Sequence, residues 1–90
     1  MDTSAFEAAL KADGFTEMLT RELPPGQSIP EHTHPYDARG LTVAGHFTVT
    51  SAAEVQQCPV GKFFALTAGT PHSEAAGPDG ATLLIGRRQR

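Results

Sequence analysis

The stretch Ile29 to Gly40, "IPEHTHPYDARG", carries two of the four histidines of this 90-residue chain, one residue apart and flanked by Pro30 and Pro35. On a strand, side chains two apart share a face, so His32 and His34 present both imidazoles to one point in space. The pair reads either as half of a metal site or as two polar residues on an edge strand facing water. A third imidazole favours the first reading without closing the second. His72 stands in "TAGTPHSE", Thr67 to Glu74, where a Gly-Thr-Pro turn holds the start of a strand. Three neutral ring nitrogens around a borderline cation, with positions left over for water or substrate, describe an open site of the catalytic kind.

Outward from this stretch the texture is β. "FTEMLTREL", Phe15 to Leu23, alternates loosely and ends at Pro24-Pro25-Gly26. "LTVAGHFTVT", Leu41 to Thr50, reads as strand, glycine bend, strand. "EVQQC", "KFFAL", "HSEAA" and "ATLLIG" follow as short strands parted by "PVG", "TAGTP" and "GPDG". Many short strands with Gly and Pro punctuation point to a sandwich, barrel or jelly roll rather than to βαβ units. Ahead of them, "TSAFEAALKADGF" has helical spacing in Phe6, Ala9 and Leu10, a capping box in Ser4 and Glu7, and a stop at Gly14.

Composition bounds the function. Ninety residues make one domain with a single modest core. A net charge of −3 argues against nucleic acid as a partner, since a phosphate-binding surface needs an excess of Lys and Arg. The one basic cluster, Arg87, Arg88 and Arg90, reads as a solvated tail, and Arg21 and Lys62 as solvated side chains. The single cysteine, Cys58, cannot form an intrachain disulfide and reads as a small apolar core residue. No apolar run reaches the ~18 residues of a membrane span, and the N-terminus has no signal-peptide pattern. These readings place the chain in the cytoplasm, away from membranes.

Gly26, five residues, His32-Thr33-His34 and later Gly45 resemble the first motif of the cupin superfamily. "GKFFALTAGTPH", with Gly61, Gly69, Pro71 and His72, resembles the second. The resemblance implies an all-β, RmlC-like jelly-roll β-barrel over residues 15–90, and the helical pattern ahead of it places a short helix in residues 1–14 packed on that barrel. It also implies one divalent transition metal (Zn, Ni, Fe, Cu or Mn) on His32, His34 and His72, and a small-molecule ligand at the open positions. Small cupins commonly dimerise through their sheets, and Phe63, Phe64 and Leu83 suit such a homodimer interface.

The departures are specific. The glutamate usual in the first motif falls at Ala38, the asparagine usual at the end of the second falls at Ala76, and Thr67 replaces a proline. A three-histidine site lacking its hard carboxylate is therefore expected, with a lowered preference for Mn²⁺. If position 38 faces the barrel interior, so do Gly40, Thr42 and Ala44, all small, which would leave room for a ligand. Asp37, next to Ala38, either pairs with Arg39 at the surface or orients a ligand histidine. Tyr36, Thr42 and Glu74 are candidates for supporting or substrate contacts, and Glu31 can play either part. His46, at a bend, reads as solvent-facing.

Three functions fit: a metal-dependent enzyme of oxygenase, isomerase or lyase type, a ligand-sensing barrel, or a metal-free structural one. No residue stands out as a second catalytic group.

Overall fold

Pro24-Pro25-Gly26 turns the chain tightly, with Gly26 at φ 70°, and separates β1 (Glu17–Leu23) from β2 (Ser28–His32). The computed structural model describes residues 1–90. It continues with β3 (Tyr36–Ser51), β4 (Val55–Pro59), β5 (Phe63–Leu66) and β6 (His72–Gln89), after one helix, α1 (Ser4–Ala12).

Two strands are far longer than the sequence punctuation suggests. β3 runs through Gly45, and β6 joins "HSEAA" to "ATLLIG" through Gly77-Pro78-Asp79-Gly80 without a break. They pair antiparallel from Tyr36↔Gln89 to Ser51↔His72, with register shifts between Thr42 and Ala44 and between Gly45 and Phe47. The shifts let the pair bend, because an extra residue on one strand kinks the ladder and raises its twist. Gly45 (φ 74°) and Gly80 (φ 80°) face each other at that bend. Glycine without a Cβ is what permits both the backbone conformation and the close approach.

Around the bent spine, β1 lies beside the C-terminal half of β6 and β5 beside the N-terminal half of β3. β2 and β4 flank the other halves. The two halves close on one core: Ala38, Phe64, Leu83 and Ile85 from one, Phe47, Val49, Cys58 and Ala76 from the other. Phe47 and Phe64 meet across it with ring centroids 5.0 Å apart. Their burial, like that of the other apolar side chains, drives closure at about 1.5–3 kcal/mol per large residue. Cys58 packs here as an apolar residue, and burial pushes its thiol pKa up.

The small-residue face is resolved differently from the sequence expectation. Ala38, Gly40 and Thr42 do point inward, but the shift at Val43 leaves Ala44 exposed. The Phe64 ring lies directly on Gly40, where any Cβ would overlap it. The absent side chains make room for Phe64, not for a ligand.

α1 buries Leu10 against Gly86 and Phe15, and Phe6 stacks on Phe63 at 5.2 Å. The N-terminal cap sits one residue earlier than the Ser4–Glu7 box: the cap is Thr3, whose hydroxyl donates to Glu7 Oε2 at 2.9 Å. Phe64 and Leu83 are buried, so of the three apolar residues assigned to an interface only Phe63 is exposed. No helix is long and apolar enough to cross a membrane.

Candidate metal centre

His32 ends β2, opposite His72 at the start of β6. His34 is not on a strand: Pro35 removes a backbone donor, and Thr33 to Pro35 form the link into β3. That link is tied down where His34 O accepts the N–H of Gly69 at 2.8 Å. It thereby joins the loop before His72. Glu74, two residues beyond His72, shares its strand face, by the same alternation that suggested the His32 and His34 pair.

These four side chains converge. One ligand atom from each of His32, His34, His72 and Glu74 lies within 4.8 Å of all the others, so the group could hold a metal ion. His32 Nε2 is 3.1 Å from His34 Nε2 and 3.0 Å from Glu74 Oε2, and His72 Nε2 is 3.4 Å from Glu74 Oε2. Atoms bound at about 2.1 Å around one ion at tetrahedral angles sit roughly 3.4 Å apart.

The protons make the arrangement more telling. His32 Nδ1 is 2.8 Å from Pro30 O and His72 Nδ1 is 2.9 Å from Thr70 O. A carbonyl only accepts, so each Nδ1 carries the hydrogen, and in the neutral ring each Nε2 presents a lone pair. Glu74 Oε2, also an acceptor, faces them. His72 Nε2 and Glu74 Oε2 are both fully buried and have no hydrogen-bond partner. Acceptors packed against acceptors repel unless a proton or a metal cation stands among them. His34 completes the set: burial, then the neighbouring His32 and His72, lower its pKa below 6.5 and keep it neutral and ready to ligate. Its Nδ1 lies 3.2 Å from the Tyr36 hydroxyl, and the two rings stack at 4.9 Å.

The carboxylate missing from position 38 is thus present in the group, on β6 instead of β3, which removes the expected bias against Mn²⁺. Its other oxygen, Oε1, accepts from Arg21 Nη1 at 3.1 Å. Arg21 is therefore not a free solvated side chain.

Asp37 faces the other way. Its carboxylate accepts from the Ala68 N–H at 2.8 Å, from Arg88 Nη2 at 2.8 Å and from Arg90 Nε at 2.9 Å. Arg39 pairs instead with Asp13 at 2.6 Å. The C-terminal arginines accordingly form a clamp on the loop that precedes His72, rather than a solvated tail. The Ala68 amide first, then the two guanidiniums, hold the Asp37 carboxyl well below the usual carboxylate range. A carboxyl whose pKa falls on folding stabilises the fold above its unfolded value of 3.8, and that contribution fades as pH drops toward the folded value. Asp37→Asn should lower the urea midpoint at pH 7, and the gap from the parent should narrow at pH 2; an unchanged midpoint at pH 7 would count against the clamp.

Thr42 lies on β3 opposite Leu83, fully buried, its hydroxyl without a partner, and is not among the residues that line the cavity at the histidines. Glu31 is exposed and outside the group, and so is half-buried His46, opposite Pro59. The group opens onto a cavity of about 40 Å³, lined by His34, His72 and Glu74 themselves together with Tyr36, Arg21 and Arg87 among others.

Residues 19–85 match the family model of the cupin domain, and the chain belongs to that family. None of the curated proteins matches. Among solved structures, KdgF from Halomonas sp. is 24% identical with a TM-score of 0.66, over 81% of this chain and 68% of that one. A conserved protein of unknown function from Streptococcus pyogenes is 25% identical with a TM-score of 0.64, over 82% of this chain and 76% of that one. The DMSP lyase DddQ from Ruegeria pomeroyi DSS-3 is 19% identical with a TM-score of 0.72, but the match spans 79% of this chain and only 36% of that one. At these identities the likeness speaks for the jelly-roll fold.

Proposed function

We propose that this cupin holds a single divalent transition metal on His32, His34, His72 and Glu74, and binds or converts a small organic molecule at the positions left open. The observation that carries the proposal is the convergence of His32, His34, His72 and Glu74, with His72 Nε2 and Glu74 Oε2 buried, 3.4 Å apart and each without a hydrogen-bond partner. Three imidazoles and one carboxylate suit Mn, Fe, Ni, Cu or Zn. Bound there, such an ion would supply Lewis acidity, polarising an oxygen of the ligand.

The chain's own residues set the rest. Pro30 O and Thr70 O fix the tautomers of His32 and His72, Tyr36 braces His34, and Arg21 orients Glu74. Such supporting contacts typically matter about 10- to 100-fold in metal affinity. A second reading, a barrel that binds its ligand without converting it, is favoured by the small cavity. A homodimer remains the assembly we propose, with the exposed Phe63 as its contact.

Elemental analysis of untagged protein purified without chelator tests the metal. About one equivalent in the parent, and none in a folded variant carrying both His32→Ala and His34→Ala, is the expected result. No metal in either, with both folded, would move the assignment to a metal-free barrel.

A further inference from the structure

The two arginines that line the cavity lie on strand positions that otherwise face the core. On β6, Ala81, Leu83 and Ile85 point inward, and Arg87 is next in the same alternation. On β1, Arg21 stands between the inward Leu19 and Leu23. A chain of net charge −3 has thus directed two guanidiniums to the one end of its barrel where the histidines converge.

Their bonding differs. Arg21 is engaged by Glu74. Arg87 has its guanidinium over the Tyr36 ring at 4.6 Å and a long 3.4 Å contact from Nη1 to Glu17 at the rim. Its Nε is buried and has no acceptor. An unpaired buried N–H of a charged group is costly, so the Arg87 side chain, which lines the cavity, gains by turning that donor onto an oxygen arriving there.

Charge points the same way. Glu74 and Glu17 balance Arg21 and Arg87, and a divalent ion would leave the site at about +2, taking unit charges. A space of about 40 Å³ admits a head group and not a whole metabolite. We infer that the ligand is a small organic carboxylate, whose carboxylate enters the cavity and accepts from Arg87 Nε while the remainder extends through the mouth. Its charge balance rests on the metal reading above while the unpaired Arg87 donor does not, and the ligand class is what it adds.

The test uses glycolate and its neutral counterpart glycolamide, titrated into zinc-loaded and metal-free protein. Binding is read from ¹H–¹⁵N spectra that include the arginine Nε–H signals, with zinc content measured in parallel. Glycolate should bind zinc-loaded protein at least about tenfold more tightly than glycolamide and shift the Arg87 Nε–H signal. Arg87→Gln should weaken glycolate by about 10- to 100-fold with zinc content unchanged. Arg87→Lys, which keeps the charge, should recover part of that loss and guards against a folding defect in the glutamine variant. Equal affinity for the two probes, or glycolate binding indifferent to Arg87→Gln, with one zinc bound, would overturn the carboxylate inference and leave the metal site standing. Failure to take up zinc, with glycolate still shifting Arg87, would overturn the metal reading and keep the carboxylate site.

Discussion

His72→Ala is expected to abolish divalent-metal binding and, with it, the stabilisation that metal confers on the parent. His72 is the most buried of the three imidazoles, and its Nε2 is one of the two orphaned acceptors. A ligand that binds only the folded state stabilises it by about 4 kcal/mol at 1,000 times its Kd. For a domain of this size that corresponds to a rise in melting temperature of roughly 15 °C or more. Thermal melts with zinc and with chelator should show that shift in the parent and none in the variant. A parent melt unaffected by either addition would argue against the site.

Protons should compete with the metal. His34 has its pKa lowered below 6.5, so the unfolded chain takes up its proton first and, between the two values, folding stability falls as pH falls. All three imidazoles must be neutral to ligate, so metal affinity should drop as solutions become acid. The depressed pKa of His34 keeps that nitrogen available further down the scale.

The second large effect belongs to the bend in the spine. Gly45→Ala places a Cβ on a residue at φ 74° and drives it into the carbonyl oxygen of Gly80. Left-handed strain of about 1–3 kcal/mol and a steric term of similar size give roughly 2–6 kcal/mol, against a total of about 5–15 for a typical domain. Gly61→Ala is the control. Its φ of 88° carries the strain, but nothing lies within 4 Å of the added carbon, so it should cost only the strain. Urea denaturation of both variants measures the difference, and equal losses would mean that the Gly45 and Gly80 contact has room to relax.

Both effects trace back to features that the sequence shows unequally. The glycines and prolines mark where the chain turns, since their backbone limits are local, and they locate β4 and β5 to within one residue and β1 to within two. They mislead at Gly45 and at Gly77 to Gly80, where glycine bends a continuous strand instead of ending it. Whether a glycine terminates or bends a strand depends on the partner strand across the ladder, which lies far off in the chain.

The sequence by itself determined the β architecture and the cupin family and singled out three imidazoles that the fold brings together, because strand alternation and the two glycine-histidine motifs are short-range patterns. Only the tertiary structure decided the rest. Glu74 joins the histidines because β2 and β6 pair in a register that sets His32 opposite His72. Phe64 fills the space at Gly40, Asp37 grips Arg88 and Arg90, and Arg87 turns into the cavity for a related reason. A charged or aromatic residue has no preferred partner within its own strand. Closure of the two halves of the barrel fixes which groups meet and which donors are left waiting for an acceptor.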